Sequence, residues 1–489
     1  MKFAALAAGA LGCSLLAGCA VGPKYQRPNY QAPAQWKSEK PWRAAAPKDS
    51  LPKGTWWTIF GDDALNGYEQ QVLASNQTLA AAQSRLEQAR AAAYVASSTL
   101  FPQVGFDPNL QRQRLSANRP SSGGTPATTA VTQNVFNLPF AISYEADIFG
   151  RLHHNLEAAN AAYQASAADL QNARLILTAE LAADYFTLRE LDSEIGVVRD
   201  SVAIEHKGLQ LVENRERGGI ASGLEVAQQK TVLDAARTQM SLLQQQRLQY
   251  EHAIAVLIGR PASTFSVAVQ PLKATAPLIP AGVPSDVLER RPDIAAAERM
   301  MEANNAQIGI AKAAFYPDIL IAGGVGTQTR DIASLVSAPS SFWSLGVAAL
   351  QTVFNGGRNR AQLAYAKAGY SAAVADYRQT VLVAFQQVED GLSGLSELKK
   401  AAQTQHQAVE DSQRALTIAN NRYVGGLTNY LNVIQAQESL LANQRLASQI
   451  LGQQMVASVY LAKALGGGWN ASDLQTFQVK PTAKQAVQQ

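Results

Sequence analysis

Two long stretches of the chain carry apolar residues at intervals of seven, interrupted once by a step of four. In the first stretch these positions are Leu156, Tyr163, Leu170, Leu177, Leu181, Leu188, Ile195, Val202 and Leu209. Such spacing is typical of the seam between helices in a coiled coil, and an inserted step of four locally unwinds the supercoil. Residues 151–217 contain no proline, so the pattern predicts one helix about 100 Å long.

The same pattern recurs 207 residues further along the chain. The second set of positions is Leu363, Tyr370, Tyr377, Ala384, Val388, Leu395, Ala402, Val409 and Leu416. Gly150-Arg151 matches Gly357-Arg358 at this offset, whereas Phe101-Pro102 matches Tyr316-Pro317 at an offset of 215. We interpret this as a duplicated structural unit with an insertion in a loop, so the first repeat covers 65–284 and the second 285–468.

Each predicted long helix, 151–217 and 358–424, ends at a pair of glycines, which favour the left-handed conformation that terminates a helix. We expect two antiparallel hairpins with return helices at 220–259 and 427–465. Their tips are predicted to consist of Arg217, Gly218, Gly219, Val424, Gly425 and Gly426. The helix predicted from Ser285 to Ala314 is expected to stack end to end on the first return helix, and the helix from Leu65 to Ser98 to supply the missing half of the second.

Between the helices, apolar residues occupy every second position, as from Phe136 to Ile148, and most of the intervening residues are polar. Each such strand follows another, near 104–114 and near 319–330, which predicts β-hairpins at about 101–149 and 316–356. Strands of this kind are typical of a transmembrane barrel, although a soluble β-sandwich has the same alternation. Four strands cannot close a barrel, and an open edge is not tolerated in lipid, so several copies must share one barrel. Three copies give twelve strands, and parity alone also admits a dimer.

The N-terminus has the form of a secretory signal, in which Lys2 is followed by an apolar run that ends at Leu16. Leu16-Ala17-Gly18-Cys19 resembles the lipobox of bacterial lipoproteins. This resemblance implies a signal peptide at 1–18, a covalent lipid on Cys19 and a lipidated extended segment at 19–64; an ordinary signal peptide that contains a cysteine is the alternative. Alanine directly after this cysteine, at position 20, resembles the signal that releases lipoproteins to the outer membrane.

Composition argues against several classes of function. Charged residues make up 16% of the chain, the formal net charge is +4, and no run of Lys or Arg could neutralise successive phosphates, so nucleic acid is excluded as a partner. The five histidines are scattered, and the chain contains neither a P-loop nor a nucleophile elbow. We therefore expect no enzyme, no metal and no cofactor apart from the lipid on Cys19.

Four motifs together resemble the TolC-like outer-membrane efflux channels, and in particular the OprM-type (NodT-like) lipoproteins of RND tripartite efflux systems. They are GCAVGPKYQRP, WWTIFGDDALNGYEQQVLASNQTLAAAQSRLEQARA, VLERRPDIAAAE and ANNRYVGGLTNYLNVIQAQESLL. The resemblance implies a mainly α homotrimer with a twelve-stranded outer-membrane barrel that continues into a periplasmic α-helical barrel. It also implies an exit duct for drugs or other small toxic compounds, supplied by an RND-type inner-membrane pump through a periplasmic adaptor that grips the hairpin tips.

The resemblance also indicates a gate after the second glycine turn. Leu431 matches a leucine that lines the constriction in the family. Gln435 and Asn432 each occupy a position at which members of the family carry an acidic residue. We predict a gate closed by packing of Leu431 with hydrogen bonds from Asn432 and Gln435, without an anionic ring. For Arg291, Pro292 and Asp293 we predict a structural role, in which the proline starts a helix with the acid in its first turn.

Three other functions fit parts of the pattern. An outlet of a type I protein-secretion system uses the same kind of duct, a porin without a gate has the same kind of barrel, and a structural coiled-coil lipoprotein has the same helices. Residues 469–489 form a C-terminal tail outside both predicted repeats.

Overall fold

The computed structural model describes residues 21–27, 32–33, 36–37, 54–118, 129–279 and 284–481, with the side chains of 284–286 excepted. The described chain is mainly helical with one antiparallel sheet, which confirms the predicted fold class. The predicted signal peptide, Cys19 and much of the segment that follows lie outside the described residues.

The chain forms eight helices and five strands within this described part. In chain order they are α1 (Asp63–Ser75), α2 (Gln77–Ser98), β1 (Gln103–Phe106), β2 (Asn109–Leu115), β3 (Val131–Ala146), α3 (Arg151–Arg217), α4 (Gly223–Leu257), α5 (Pro284–Arg290), α6 (Pro292–Ala313), β4 (Asp318–Thr329), β5 (Ser341–Leu350), α7 (Arg358–Val424) and α8 (Leu431–Ala464). The two long helices have the ranges expected from the sequence. The return helices are shorter at both ends than expected, and the helices expected at 65–98 and 285–314 are each broken in two.

The two coiled-coil seams lie in the interior of the helical body. Every position of both heptad patterns is buried or half-buried, including the step of four in each. Leu181 and Leu188 of α3 are fully buried, as is Val388 of α7. The two long helices are therefore held along their length by the apolar stripes that the sequence repeats.

The half-length helices stack in a different pairing from the one expected. The long helix α3 packs against α2, α4, α6 and α8, whereas α7 packs against α6 and α8. The C-terminal end of α4 meets the N-terminal end of α2, and the end of α8 meets the start of α6. The expectation that α4 continues into the helix at 285–314 was wrong.

The segment that follows α4 explains this pairing, because it crosses the body sideways instead of continuing upward. The backbone N–H of Gln270 donates to Asp192 of α3 at 2.9 Å, and that of Leu272 donates to Ser193 at 2.8 Å. Ile279 then packs against the apolar cluster of α7 and α8. The chain thus reaches α7 before α6 begins.

Side chains close the two helix junctions at positions that the internal repeat relates. Asn76 Nδ2 donates to the carbonyl of Leu257 at 2.8 Å, and Arg291 Nη1 donates to the carbonyl of Ala464 at 3.2 Å. Each bond satisfies a carbonyl that the end of a helix leaves without an intrahelical partner. Asn76 also accepts from the backbone N–H of Leu79 and so starts α2.

Arg291, Pro292 and Asp293 all lie at the α8–α6 junction. Pro292 occupies the first turn of α6, and Asp293 accepts two hydrogen bonds from Arg291, at 3.0 and 2.6 Å. Arg291 also donates to Gln387 of α7 at 2.8 Å and is almost wholly buried. This arrangement ties α6, α7 and α8 together, in keeping with the structural role proposed from the sequence.

The sheet lies beyond the upper ends of the helices in the order β1/β2, β3, β4, β5. Both β1 and β2 pair with β3 in one unbroken register, and they are separated only at Asp107-Pro108, where proline lacks a backbone donor. The register places one set of apolar side chains on the same face, namely Val104, Phe106, Leu138, Phe140, Ile142, Tyr144, Ile319, Ile321, Val325, Trp343, Leu345 and Val347. Neither outer edge has a strand partner within the described chain.

The described residues between 21 and 37 lie against the helical body, near the sheet at one end and near its middle at the other. The backbone N–H of Val21 donates to the carbonyl of Phe149 at 3.1 Å, directly before α3. Trp36 is buried edge-on against Phe385 of α7, with ring centroids 6.0 Å apart. These contacts fix both ends of the described part of this segment.

The observed helix pairing predicts that replacing glycine by alanine destabilises the protein more at Gly466 than at Gly356, although both glycines have a positive φ. A Cβ at Gly466 would lie 2.0 Å from the carbonyl oxygen of Arg290, whereas a Cβ at Gly356 would meet nothing within 4 Å. Both substitutions carry the left-handed backbone cost of about 1–2 kcal/mol, but only Gly466→Ala also forces α8 away from α6. We expect Gly466→Ala to lower the melting temperature more than Gly356→Ala does. The loss in free energy of unfolding should be larger for Gly466→Ala by at least about 1 kcal/mol. Equal decreases would contradict this junction.

Candidate functional site

The first hairpin tip is closed by a Schellman turn. Gly219 has a φ of 71°, its N–H donates to the carbonyl of Glu216 at 2.8 Å, and the N–H of Ile220 donates to that of Arg215 at 2.8 Å. Gly218 has an ordinary φ of −81°. Only the second glycine of the pair therefore needs the left-handed conformation.

The second tip repeats this geometry. Gly426 has a φ of 72°, whereas Gly425 has one of −74°, and the N–H of Leu427 donates to the carbonyl of Arg422 at 2.8 Å. The residues before the glycine pairs, Arg217 and Val424, end α3 and α7. All six predicted tip residues thus lie at the two turns.

Exposed apolar side chains surround both turns. Ile220 is 71% exposed and Leu427 72% exposed, although both follow the helix ends directly. Val424 is 67% exposed. Large apolar side chains that project from an otherwise polar surface at such a tip are typical of a protein-binding site.

The predicted gate residues share one face of the first turns of α8. Leu431, Asn432 and Gln435 are exposed, whereas Val433 and Ile434 are buried beneath them. The side-chain amide of Asn432 donates to the hydroxyl of Thr428. Within one chain, the three gate residues therefore point away from the apolar core of the hairpin.

A set of polar contacts, which we call the tip latch, joins the two hairpins above the tips. Its members are Arg215, Glu225, Gln229, Tyr423 and Tyr430. The hydroxyl of Tyr423 donates to Glu225 at 3.2 Å, and the guanidinium of Arg215 lies 4.7 Å from the centroid of the same ring. Tyr423 belongs to α7, whereas Arg215 and Glu225 belong to α3 and α4, so these contacts cross between the hairpins.

The second half of the tip latch is fully buried. The hydroxyl of Tyr430 donates to Gln229 Oε1 at 2.9 Å, and Gln229 Nε2 donates to the carbonyl of Glu205 at 2.9 Å. Gly208 leaves the space for this hydroxyl, since a Cβ there would lie 2.9 Å from it. Burial raises the pKa of Tyr430 to about 12, so the hydroxyl remains a donor at neutral pH. Tyr430 directly precedes Leu431, a residue of the predicted gate.

Sequence reasoning missed the tip latch, although the internal repeat contains a signal for it. Tyr423 stands opposite Glu216 in the alignment of the two copies, and Tyr430 opposite Gly223. Gln229 likewise stands opposite Ala436. Positions at which two copies of one unit differ in size and polarity are those at which the hairpins make different contacts.

A pair of acids lies between α3 and α8 at mid-height. Glu190 packs against Gly452, where a Cβ would lie 2.4 Å from its Cγ, and Arg445 donates to the neighbouring Glu194 at 2.6 Å. Burial and the charge of Glu194 raise the pKa of Glu190 to about 8. Glu190 is therefore largely protonated at neutral pH, while Glu194 has the cationic partner.

Among the residues that the structure describes, no group of three or more His, Cys, Asp or Glu side chains is arranged to hold a metal ion.

Among the described helices, none is both long enough and apolar enough to cross a membrane.

The chain is similar to several characterised proteins over nearly its whole length. The profile of the family described as "Outer membrane efflux protein" matches residues 69–260 and 283–467. The pyoverdine export outer membrane protein OpmQ of Pseudomonas aeruginosa is 32% identical, with 94% of this chain and 96% of that protein aligned. The toluene efflux pump outer membrane protein TtgF of Pseudomonas putida is 31% identical, with coverage of 93% and 95%.

Solved structures agree with the sequence comparison. The outer-membrane channel OprN superposes with a TM-score of 0.86 at 29% identity, with 92% of this chain and all of that chain covered. The Neisseria gonorrhoeae MtrE outer membrane channel, solved in its open state, gives a TM-score of 0.80 at 27% identity, with coverage of 93% and 99%.

The raised pKa of Glu190 predicts a pH-dependent stability. Between about pH 4.5 and pH 8 the folded state holds a proton that the unfolded chain has lost, so stability falls as the pH rises through this window. Glu190→Gln removes this dependence, and we expect its melting temperature to exceed that of the wild type at pH 8 and to equal it near pH 4.5. Glu397→Gln is the matched control, because Glu397 is the repeat-related residue on α7 and is 70% exposed. An unchanged slope of melting temperature against pH in Glu190→Gln would contradict the assignment.

Proposed function

The chain belongs to the outer membrane efflux protein family and is the outer-membrane exit duct of a tripartite efflux pump; we propose that three copies of it form one passive, gated conduit. The observation that carries this proposal is the union of an amphipathic sheet that has two unpaired edges with helices of 67 residues. A sheet of this kind closes in lipid only by pairing with further copies. The long helices extend the closed wall into the periplasm.

The width of the conduit favours three copies over two. Because β1 and β2 continue one another along β3, each chain supplies four barrel strands. Two copies would therefore give eight strands, and a barrel of that size is filled by its own side chains or holds one small ligand. Three copies give twelve strands and leave an open lumen. The same three copies would place twelve helical columns below the barrel, since α3, α7 and the two stacked columns give four in each chain.

The proposed partners are a periplasmic adaptor at the hairpin tips and an RND-type pump in the inner membrane. The exposed side chains of Ile220, Val424 and Leu427 at rigid turns support the first. The names of the relatives refer to efflux pumps and to export of pyoverdine and toluene. These are small molecules, which favours small toxic compounds over secreted proteins as the cargo. The role requires no chemical step, and we propose no catalytic residue.

The proposed gate is closed by Leu431 of three copies at the axis and kept closed by the tip latch. Leu431 is 41% exposed in one chain although the neighbouring Tyr430 is fully buried. Release of Tyr423 and Tyr430 from α4 would allow the second hairpin to swing outward and would move Leu431 from the axis. Asn432 and Gln435 would line the constriction without charge.

Lipidation of Cys19 is supported by the position of the next described residues. Val21 is bonded to Phe149 at the junction of sheet and helices, and two residues of extended chain span at most about 7 Å. Val21, two residues beyond Cys19 in the sequence, therefore lies at the level at which the proposed barrel leaves the membrane. Mass spectrometry of the mature N-terminus should find an acylated cysteine at residue 19, and a free thiol there would contradict the proposal.

The gate proposal predicts that truncation of Leu431 opens the duct. In planar bilayers, Leu431→Ala should raise the conductance about tenfold or more, because each copy loses on the order of 1.5 kcal/mol of apolar burial in the closed state.

The double variant Tyr423→Phe/Tyr430→Phe should raise the open probability in the same assay, since it removes both hydroxyl donors of the tip latch and retains the rings.

The matched control is Leu224→Ala. Leu224 is the repeat-related residue on α4 and is 66% exposed, and its truncation should leave the conductance unchanged. A wild-type conductance in Leu431→Ala would remove Leu431 from the gate, and an equal increase in Leu224→Ala would show that the response is not specific to the second hairpin.

A further inference from the structure

At both outer edges of the sheet, apolar side chains are exposed on strands whose outer backbone groups have no strand partner within the described chain. On the β5 side, Val347 is 71% exposed and Val353, three residues beyond the strand, 95% exposed. On the β1/β2 side, Val104 and Leu110 are each 66% exposed. These two edges are the ends of the sheet within the described chain.

The internal repeat is exact in the pairing of the strands. Shifting the pair Val104↔Ile142 by 215 and 207 residues gives Ile319↔Ala349, and β4 and β5 contain this pair. A second example is Leu110↔Phe136, which becomes Val325↔Trp343, also an observed pair. The two hairpins of the chain therefore have the same register.

The β3–β4 pairing joins the first repeat to the second. In a closed ring of copies, the corresponding junction after β5 leads to β1/β2 of the next copy. In each β3–β4 pair, adding 207 to the β3 residue gives a residue of β5 or of the segment after it, and subtracting 215 from the β4 residue gives a residue of β1, of β2 or of Asp107-Pro108 between them. Each observed β3–β4 pair therefore gives one pair between copies. This step rests on the proposed function, because it requires that copies of the chain close a common barrel.

We propose that β5 of one copy pairs antiparallel with β1/β2 of the next in a single defined register. Phe136↔Thr329 becomes Trp343↔Arg114, Phe140↔Val325 becomes Val347↔Leu110, and Ala146↔Ile319 becomes Val353↔Val104. Exposed Val347 and Val353 of one edge thus meet exposed Leu110 and Val104 of the other on the same face of the sheet, whereas Trp343 meets Arg114. The occupant of both edges is a second copy of this chain.

This register extends β5 beyond its end at Leu350. In the chain, β3 is paired with β4 as far as Ala146, whose repeat-related residue is Val353. Residues 351–353 therefore become strand when the next copy docks. Their pairing covers Val353, which is almost wholly exposed in the single chain.

The helices below the sheet support the same shift. Within the chain, His154 of α3 packs so closely on Gly309 of α6 that a Cβ at this glycine would lie 2.4 Å from the ring. The shifts convert this pair into Ala361 of α7 and Tyr94 of α2 in the next copy. Within the chain the large residue, His154, lies on the long helix, and between copies the large residue, Tyr94, lies on the shorter helix. One large and one small side chain therefore fill the space between the helices in both junctions.

Disulfide trapping in the assembled, detergent-solubilised protein tests the register. Val347→Cys combined with Leu110→Cys places two thiols directly opposite each other, where Cβ atoms lie about 4.5–5.5 Å apart. Val347→Cys combined with Arg112→Cys leaves the same edge and face but moves the pair to a diagonal at about 7–8 Å, beyond the reach of a disulfide. Phe140→Cys with Val325→Cys is the repeat-related pair within one chain and serves as the positive control for oxidation.

We expect the first pair to give covalent two- and three-chain species on non-reducing gels and the second pair to give little of either. The control pair should form a disulfide without joining chains. Efficient linkage of residues 347 and 112 instead of 347 and 110 would overturn the register while multi-chain conducting particles still supported the proposed function. Particles of one chain that do not conduct would overturn both.

Discussion

A strand edge in lipid leaves its backbone N–H and C=O groups without partners, and each unsatisfied group costs on the order of several kcal/mol. The sheet of this chain has two such edges, along β1/β2 and along β5. Closure with further copies is therefore a condition for the barrel to exist in a membrane. The lumen, the ring of helical columns and the proposed gate at the axis would all follow from that closure.

Below the sheet, the same need for backbone partners shapes the helical body. Each stacked column contains a break, and at each break a side chain from the next helix bonds the carbonyl that the preceding helix leaves free, Asn76 at one and Arg291 at the other. Gly259 and Gly466 let the helix ends approach these breaks closely. Two half-length helices thereby act as one column beside a long helix.

The sequence predicted the long helices, the turns and the strands because their signals are local or periodic. It did not predict which half-length helices stack, since the apolar pattern is compatible with either pairing and the choice depends on where residues 261–279 cross α3. The raised pKa of Glu190 depends on Gly452, which is distant in sequence and adjacent in space. The features that the two copies share do not predict the tip latch, because Tyr423 and Tyr430 lie at positions where the copies differ.

The proposed gate depends on a difference between the two nearly equal halves of the chain. The upper body follows the repeat closely, and there it builds a uniform wall; at the tips only the second hairpin carries the tyrosines that hold it to the first. The mass of the purified particle in detergent, measured by light scattering with correction for bound detergent, shows whether several copies share one barrel. We expect the mass of three chains; a stable particle of one chain that keeps its full strand content would rule out a shared barrel.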